Sequence, residues 1–134
     1  MMLVDTNVLV DVVGNDPDWS DWSIAQLHAQ SRVHRLVINP TIYSELSLTF
    51  STVESLDQTL DAMGLPVVEI PKPALFLAGK AFVQYRRGGG LKQSVLGDFF
   101  IGAQAAVLGW PILTRDTRRY RSYFPSVKLV SPQQ

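Results

Sequence analysis

Leu3-Val4-Asp5-Thr6-Asn7-Val8-Leu9-Val10-Asp11 sets an apolar run, an acid and a second apolar run at the head of the chain. Leu3-Val4 has the character of a short buried strand, and Val8 to Val13 predicts a helix beginning just after Asp5. That strand-to-helix step recurs. Asn15-Asp16-Pro17-Asp18 reads as a loop, after which Ser20 is placed to cap a helix with apolar positions at Trp22, Ile24, Leu27 and Val33. Leu36-Val37-Ile38 predicts the second strand. Asn39-Pro40 then supplies a cap residue and a first-turn proline for a helix carrying Ile42, Glu45, Leu46 and Thr49. Those offsets set Glu45 beside the buried stripe.

Val53 to Met63 is amphipathic and stops at Gly64, and Leu65 to Ile70 predicts a third strand bounded by Pro66 and Pro71. A helix is expected over Pro73 to Tyr85, with Leu75, Phe76, Ala78, Gly79 and Phe82 facing the core. Arg86-Arg87-Gly88-Gly89-Gly90 breaks it. Asp98 opens an apolar helix, Phe99 to Leu108, closed by Gly109 and Pro111. Pro111-Ile112-Leu113-Thr114 is the fourth expected strand, a short turn or helix follows from Asp116, and Val127-Lys128-Leu129-Val130 is the last strand. Alternation of this kind implies a mostly parallel sheet covered on both faces.

With 134 residues, 46% of them hydrophobic, the chain suits one compact core and not two. No apolar run reaches the ~18–20 residues of a membrane span. The first residues lack the basic and long apolar regions of a signal peptide. There is no cysteine, hence no disulfide framework and no thiolate metal site, which fits a cytoplasmic protein. The net charge of zero conceals an uneven distribution: residues 1–67 hold nine acids against Arg32 and Arg35, and residues 68–134 hold ten bases against Glu69, Asp98 and Asp116. The basic half is suited to a polyanion or simply to water.

Four acids stand out by their setting. Asp5 and Asp116 follow apolar strands, while Asp98 and Glu45 lie near helix starts. In an open parallel sheet, ligands bind beyond the carboxyl ends of the strands, where such residues converge. Two carboxylates ~4 Å apart repel by roughly 4 kcal/mol at an effective dielectric of 20. A cluster of four must therefore keep protons or hold a hard cation such as Mg²⁺ or Mn²⁺. Singly, each has a plainer use: Asp5 and Asp98 as helix caps, Asp116 as a turn former, Glu45 as a solvated helix residue.

The stretch from Leu3 to Asp11 resembles the opening of a PIN domain. Ile42-Tyr43-Ser44-Glu45-Leu46 is similar to the second acidic motif of that family, Gly97-Asp98-Phe99-Phe100-Ile101-Gly102-Ala103-Gln104-Ala105 to the third, and Leu113-Thr114-Arg115-Asp116-Thr117-Arg118-Arg119-Tyr120 to the fourth. With Tyr123-Phe124-Pro125, the pattern resembles the VapC toxins of type II toxin–antitoxin systems over nearly the whole chain. The resemblance implies a single PIN-like α/β/α sandwich over residues 1–134, with a mostly parallel central sheet of about four or five strands. It implies a Mg²⁺- or Mn²⁺-dependent endoribonuclease with Asp5 and Asp98 as principal metal ligands, and Glu45 and Asp116 binding through water or holding a second ion. Asn7 and Thr114 would orient the carboxylates, and Thr6 would cap its helix or assist catalysis. Gln104 stands where many relatives carry a histidine, a departure expected to do little harm to catalysis.

The resemblance also implies an RNA substrate, a VapB-type antitoxin partner and a homodimer. Arg86, Arg87, Lys92, Arg115, Arg118, Arg119 and Arg121 are the candidates for RNA phosphates, and the triple glycine would let its loop adapt to a structured substrate. Trp19, Trp22 and Phe50 suit either an interface or the core. Two rivals remain. A haloacid-dehalogenase-type phosphatase would use Asp5 as a nucleophile, but Asn7 stands where its second aspartate belongs. A catalytically silent PIN-like module would bind RNA or a partner without cutting.

Overall fold

In the computed structural model, which describes residues 1–92 and 95–132, the strands are short and wholly parallel. The expected domain limit at residue 134 lies outside the described residues. β1 (Met2–Val4) leads into α1 (Thr6–Val13) and α2 (Ser20–Ser31), then β2 (Leu36–Val37), α3 (Pro40–Leu46), α4 (Val53–Met63), α5 (Lys72–Arg87) and α6 (Leu96–Leu108). β3 (Ile112–Leu113), α7 (Arg118–Tyr123) and β4 (Leu129–Val130) complete the order. The sheet runs β2-β1-β3-β4, with Leu3 opposite both Val37 and Ile112, and Leu113 opposite Val130. Met2, Leu3 and Val4 are all fully buried although successive side chains point to opposite faces, so helices cover both sides in an α/β/α arrangement.

The chain leaves β1 toward β2 on one side and later returns to β3 on the other. The strand order therefore reverses at β1, and in sheets of this kind the ligand crevice lies beyond the carboxyl ends of the strands at the reversal, here β1 and β3. Local chemistry sets the helices around it. Asn39 caps α3 by accepting from the Ile42 N–H at 2.9 Å, with Pro40 in the first turn. α4 ends at Gly64, whose φ of 67° is the left-handed conformation glycine adopts at no cost. Among the described residues no helix is long and apolar enough to cross a membrane.

Four expectations need correction. The strand predicted over Leu65 to Ile70 is reduced to one parallel bridge between Ile38 and Val67. Ser20 is the first residue of α2 rather than its cap, and Val33 is exposed. α6 begins at Leu96, so Asp98 stands inside its first turn rather than at its cap. On α5, Leu75 and Phe76 face solvent, and Ala74, Ala78, Ala81 and Tyr85 form the buried stripe. Small alanines let α5 lie close along α6, which turns the bulkier residues outward.

Candidate metal centre

Asp5 sits where β1 ends, its N–H donating to the Leu113 carbonyl at 2.9 Å, and its side chain is almost wholly buried. Oδ1 accepts from the Thr6 N–H at 2.8 Å. Oδ2 accepts from the hydroxyls of Thr114 and Tyr120, each at 2.8 Å. Burial pushes the Asp5 carboxyl above its ordinary range, and these donors offset part of that rise. Asn7 spans the crevice: its amide nitrogen lies 3.3 Å from the Thr114 hydroxyl, and its Oδ1 accepts from the Arg115 N–H at 3.0 Å. Asn7 and Thr114 thus tie the ends of β1 and β3 together around Asp5.

The other three acids come from α3, α6 and the loop after β3. The Thr6 hydroxyl donates to Glu45 Oε1, so Thr6 holds the second acid, whereas Asp5 caps α1. Glu45 Oε2 rests against α6 so closely that a Cβ on Gly97 would stand 2.7 Å from it. Burial raises the Glu45 carboxyl, with repulsion from Asp5 adding to the effect. Asp98 is pushed up to about 7, first by burial and then by Asp5, Glu45 and Asp116, with Arg119 opposing. Asp116 is the exception: Arg118 grips it through two hydrogen bonds, at 3.1 and 3.0 Å, and holds its carboxyl below the ordinary range.

The structure therefore brings all four acids within electrostatic reach at one edge of the sheet. Among the described residues no three acid, histidine or cysteine side chains close on a common point. The donor chemistry nonetheless fits a hard divalent cation. The set is all oxygen, three of its carboxyls are driven toward protonation by burial and by repulsion from one another, and waters commonly complete such a shell.

The basic residues divide. Arg118 and Arg119 lie with the acids; Arg119 places its guanidinium 5.2 Å over the Tyr85 ring, and its buried Nε lacks a protein partner among the described residues. Arg115 turns elsewhere. It forms a forked pair with buried Asp11, Nη2 to Oδ1 at 2.8 Å, and stacks 4.9 Å over Trp19, so its guanidinium clamps α1 to the loop after β3. Arg86, Arg87, Lys92 and Arg121 are exposed. The triple-glycine loop folds back on Tyr85: Gly90 leaves no room for a Cβ against the ring, and the Lys92 N–H donates to the Tyr85 hydroxyl at 3.2 Å. Phe50 and Trp22 are partly buried against the core.

Three residues take roles that the sequence did not announce. Tyr120 reads as an ordinary core aromatic, and nothing in its spacing points to the bond with Asp5. Asp11 was legible in principle, since an acid within an apolar helix, one turn after Asn7, demands a partner. Gln104, fully buried, accepts from the Asn39 amide at 3.0 Å and donates to the Glu69 carbonyl at 2.9 Å, a position inside the core.

The PIN domain family model matches residues 2–125. The chain belongs to the PIN domain family. Among solved structures, this PIN domain is similar to VapBC2 from Rickettsia felis bound to a fragment of promoter DNA, with 16% identity, a TM-score of 0.74 and 97% of each chain covered. A toxin–antitoxin complex from Klebsiella pneumoniae shows 20% identity and a TM-score of 0.71, covering 100% of this chain and 99% of that one. VapBC from Salmonella typhimurium, also DNA-bound, gives 17% identity and a TM-score of 0.71, covering 97% and 96%. At these identities the likeness establishes the fold. No curated protein sequence matches the chain.

Proposed function

We propose that this PIN domain, acting as one unit over residues 1–134, is the toxin of a VapBC-type pair and an endoribonuclease dependent on Mg²⁺ or Mn²⁺. The observation that carries the reading is the gathering of Asp5, Glu45, Asp98 and Asp116 at the strand-order reversal, with Asp98 driven to about 7. When bound, such an ion supplies Lewis acidity at the scissile phosphodiester and activates water. Asp5 and Asp98 are its principal ligands. Glu45 and Asp116 act through water or hold a second ion, and Asn7 and Thr114 keep Asp5 oriented. Arg118 and Arg119 meet the phosphates nearest the acids, and Arg86, Arg87, Lys92 and Arg121 extend the contact along the backbone. A VapB-type antitoxin is part of the proposal, supported by the toxin–antitoxin assemblies among the similar structures, and a homodimer and a cytoplasmic setting complete it.

One observation favours the silent-module alternative: Arg118 occupies Asp116 with two hydrogen bonds. Cleavage of total cellular RNA with and without Mg²⁺, comparing the native chain with Asp98→Asn, decides between the two. Discrete fragments that require the ion and vanish in the variant are expected. Intact RNA in every lane, with ion binding demonstrated, would leave the silent module standing.

A further inference from the structure

A carboxylate offers about four acceptor positions, two on each oxygen. On Asp5 Oδ2 the Thr114 and Tyr120 hydroxyls, both at 2.8 Å, take up two, while the Asn7 amide at 3.5 Å is at the limit of a hydrogen bond. On Oδ1 only the Thr6 N–H is seated, at 2.8 Å, among the described residues. The two oxygens are therefore unequal: one is saturated by protein, and the other keeps an open position.

The Thr114 hydroxyl belongs to the strand end. Tyr120 arrives from elsewhere, on α7, as a fully buried side chain whose single polar atom is spent on this carboxylate. A phenylalanine would fill the same volume, so packing alone does not account for the hydroxyl. Its effect is on the number of oxygens Asp5 can offer. Ca²⁺ takes six to eight oxygens and readily accepts both oxygens of one carboxylate, whereas Mg²⁺ demands near-octahedral geometry with few protein ligands.

We propose that the Tyr120 hydroxyl is a positioning group that restricts Asp5 to donation through Oδ1 and thereby selects a small octahedral ion over Ca²⁺. The inference rests on the metal-dependent reading above. It goes beyond orienting the carboxylate in predicting a change in ion preference and not only in strength.

The test uses Mn²⁺ as an electron-paramagnetic probe bound to the full chain, displaced in parallel titrations by Mg²⁺ and by Ca²⁺, for the native protein and Tyr120→Phe. Melting of the metal-free proteins is followed alongside. The expected result is roughly tenfold weaker Mg²⁺ binding in the variant with Ca²⁺ binding equal or stronger, so that the ratio of the two affinities shifts by about tenfold or more. Thr114→Val frees the same oxygen by an independent route and should move the ratio in the same direction, with Thr114→Ser restoring it. If both ions weaken equally in Tyr120→Phe, the hydroxyl is merely structural and the proposal is overturned, as it is if neither changes. If the native chain binds no divalent ion, the metal-dependent reading itself fails and takes the proposal with it.

Discussion

Asp98→Asn removes a carboxylate from the proposed metal centre, yet it should stabilise the metal-free chain. A carboxyl carried from 3.8 to about 7 bears its charge at a cost of about 4 kcal/mol, taking about 1.4 kcal/mol per tenfold step. Asp98 is half-buried, and solvent screening lowers the realised figure to about 1–2 kcal/mol. The unfolded chain ionises this group near pH 4 and the folded chain near pH 7, so between those values the folded state holds the extra proton. Stability from this site is complete below pH 4 and declines as pH rises toward 7. The variant lacks the titration. The two proteins should therefore be close at pH 4, with a gap of about 1–2 kcal/mol in favour of the variant opening by pH 8. Urea melts in chelator across that range measure it. Mn²⁺ at about a hundred times its dissociation constant should add about 3 kcal/mol to the native protein and little to the variant, inverting the order. A gap that stays constant with pH, or a less stable variant in chelator, would refute the account of Asp98 as a charge held against its neighbours.

Four further outcomes follow from the geometry. Gly97→Ala puts a methyl 2.7 Å from Glu45 Oε2, so ion affinity by calorimetry should fall severalfold while the melting temperature changes little. Gln104→Leu leaves the Asn39 amide and the Glu69 carbonyl without their partners, and urea unfolding should show a loss of about 1–3 kcal/mol. Arg115→Ala strands the buried Asp11 carboxylate at a cost of about 3 kcal/mol, yet the salt dependence of RNA binding should keep its slope. Arg118→Glu, by contrast, should weaken that binding and flatten the slope.

What the sequence disclosed was whatever local chemistry determines. Asn39-Pro40 and Gly64 marked helix ends without reference to the rest of the chain, and Val53–Met63 was bounded correctly for that reason. The four acids were legible because each sits beside a strand or helix boundary. What escaped was set by packing. The stretch after α4 has strand-like composition, but among the described residues only the Ile38 N–H to Pro66 carbonyl and Val68 N–H to Ile38 carbonyl bonds tie it to the end of β2. The buried face of α5 is not the bulky one, because proximity to α6 favours alanine there. Arg115 and Arg118 are indistinguishable by composition. Only the fold shows that one turns to Asp11 and the other to Asp116.

Gln104 has a mechanical consequence. Its amide behaves like a peptide unit inserted between two elements, joining the cap of α3 to the carbonyl of Glu69 from a position in the middle of α6. α3 carries Glu45 and α6 carries Asp98, so the two helices that supply these acids share a rivet remote from the carboxylates. Local opening of either should drag the other, and the Ile42 amide hydrogen should exchange with solvent in step with those of central α6. Breathing at that rivet would then set how often both acids are absent from the crevice together.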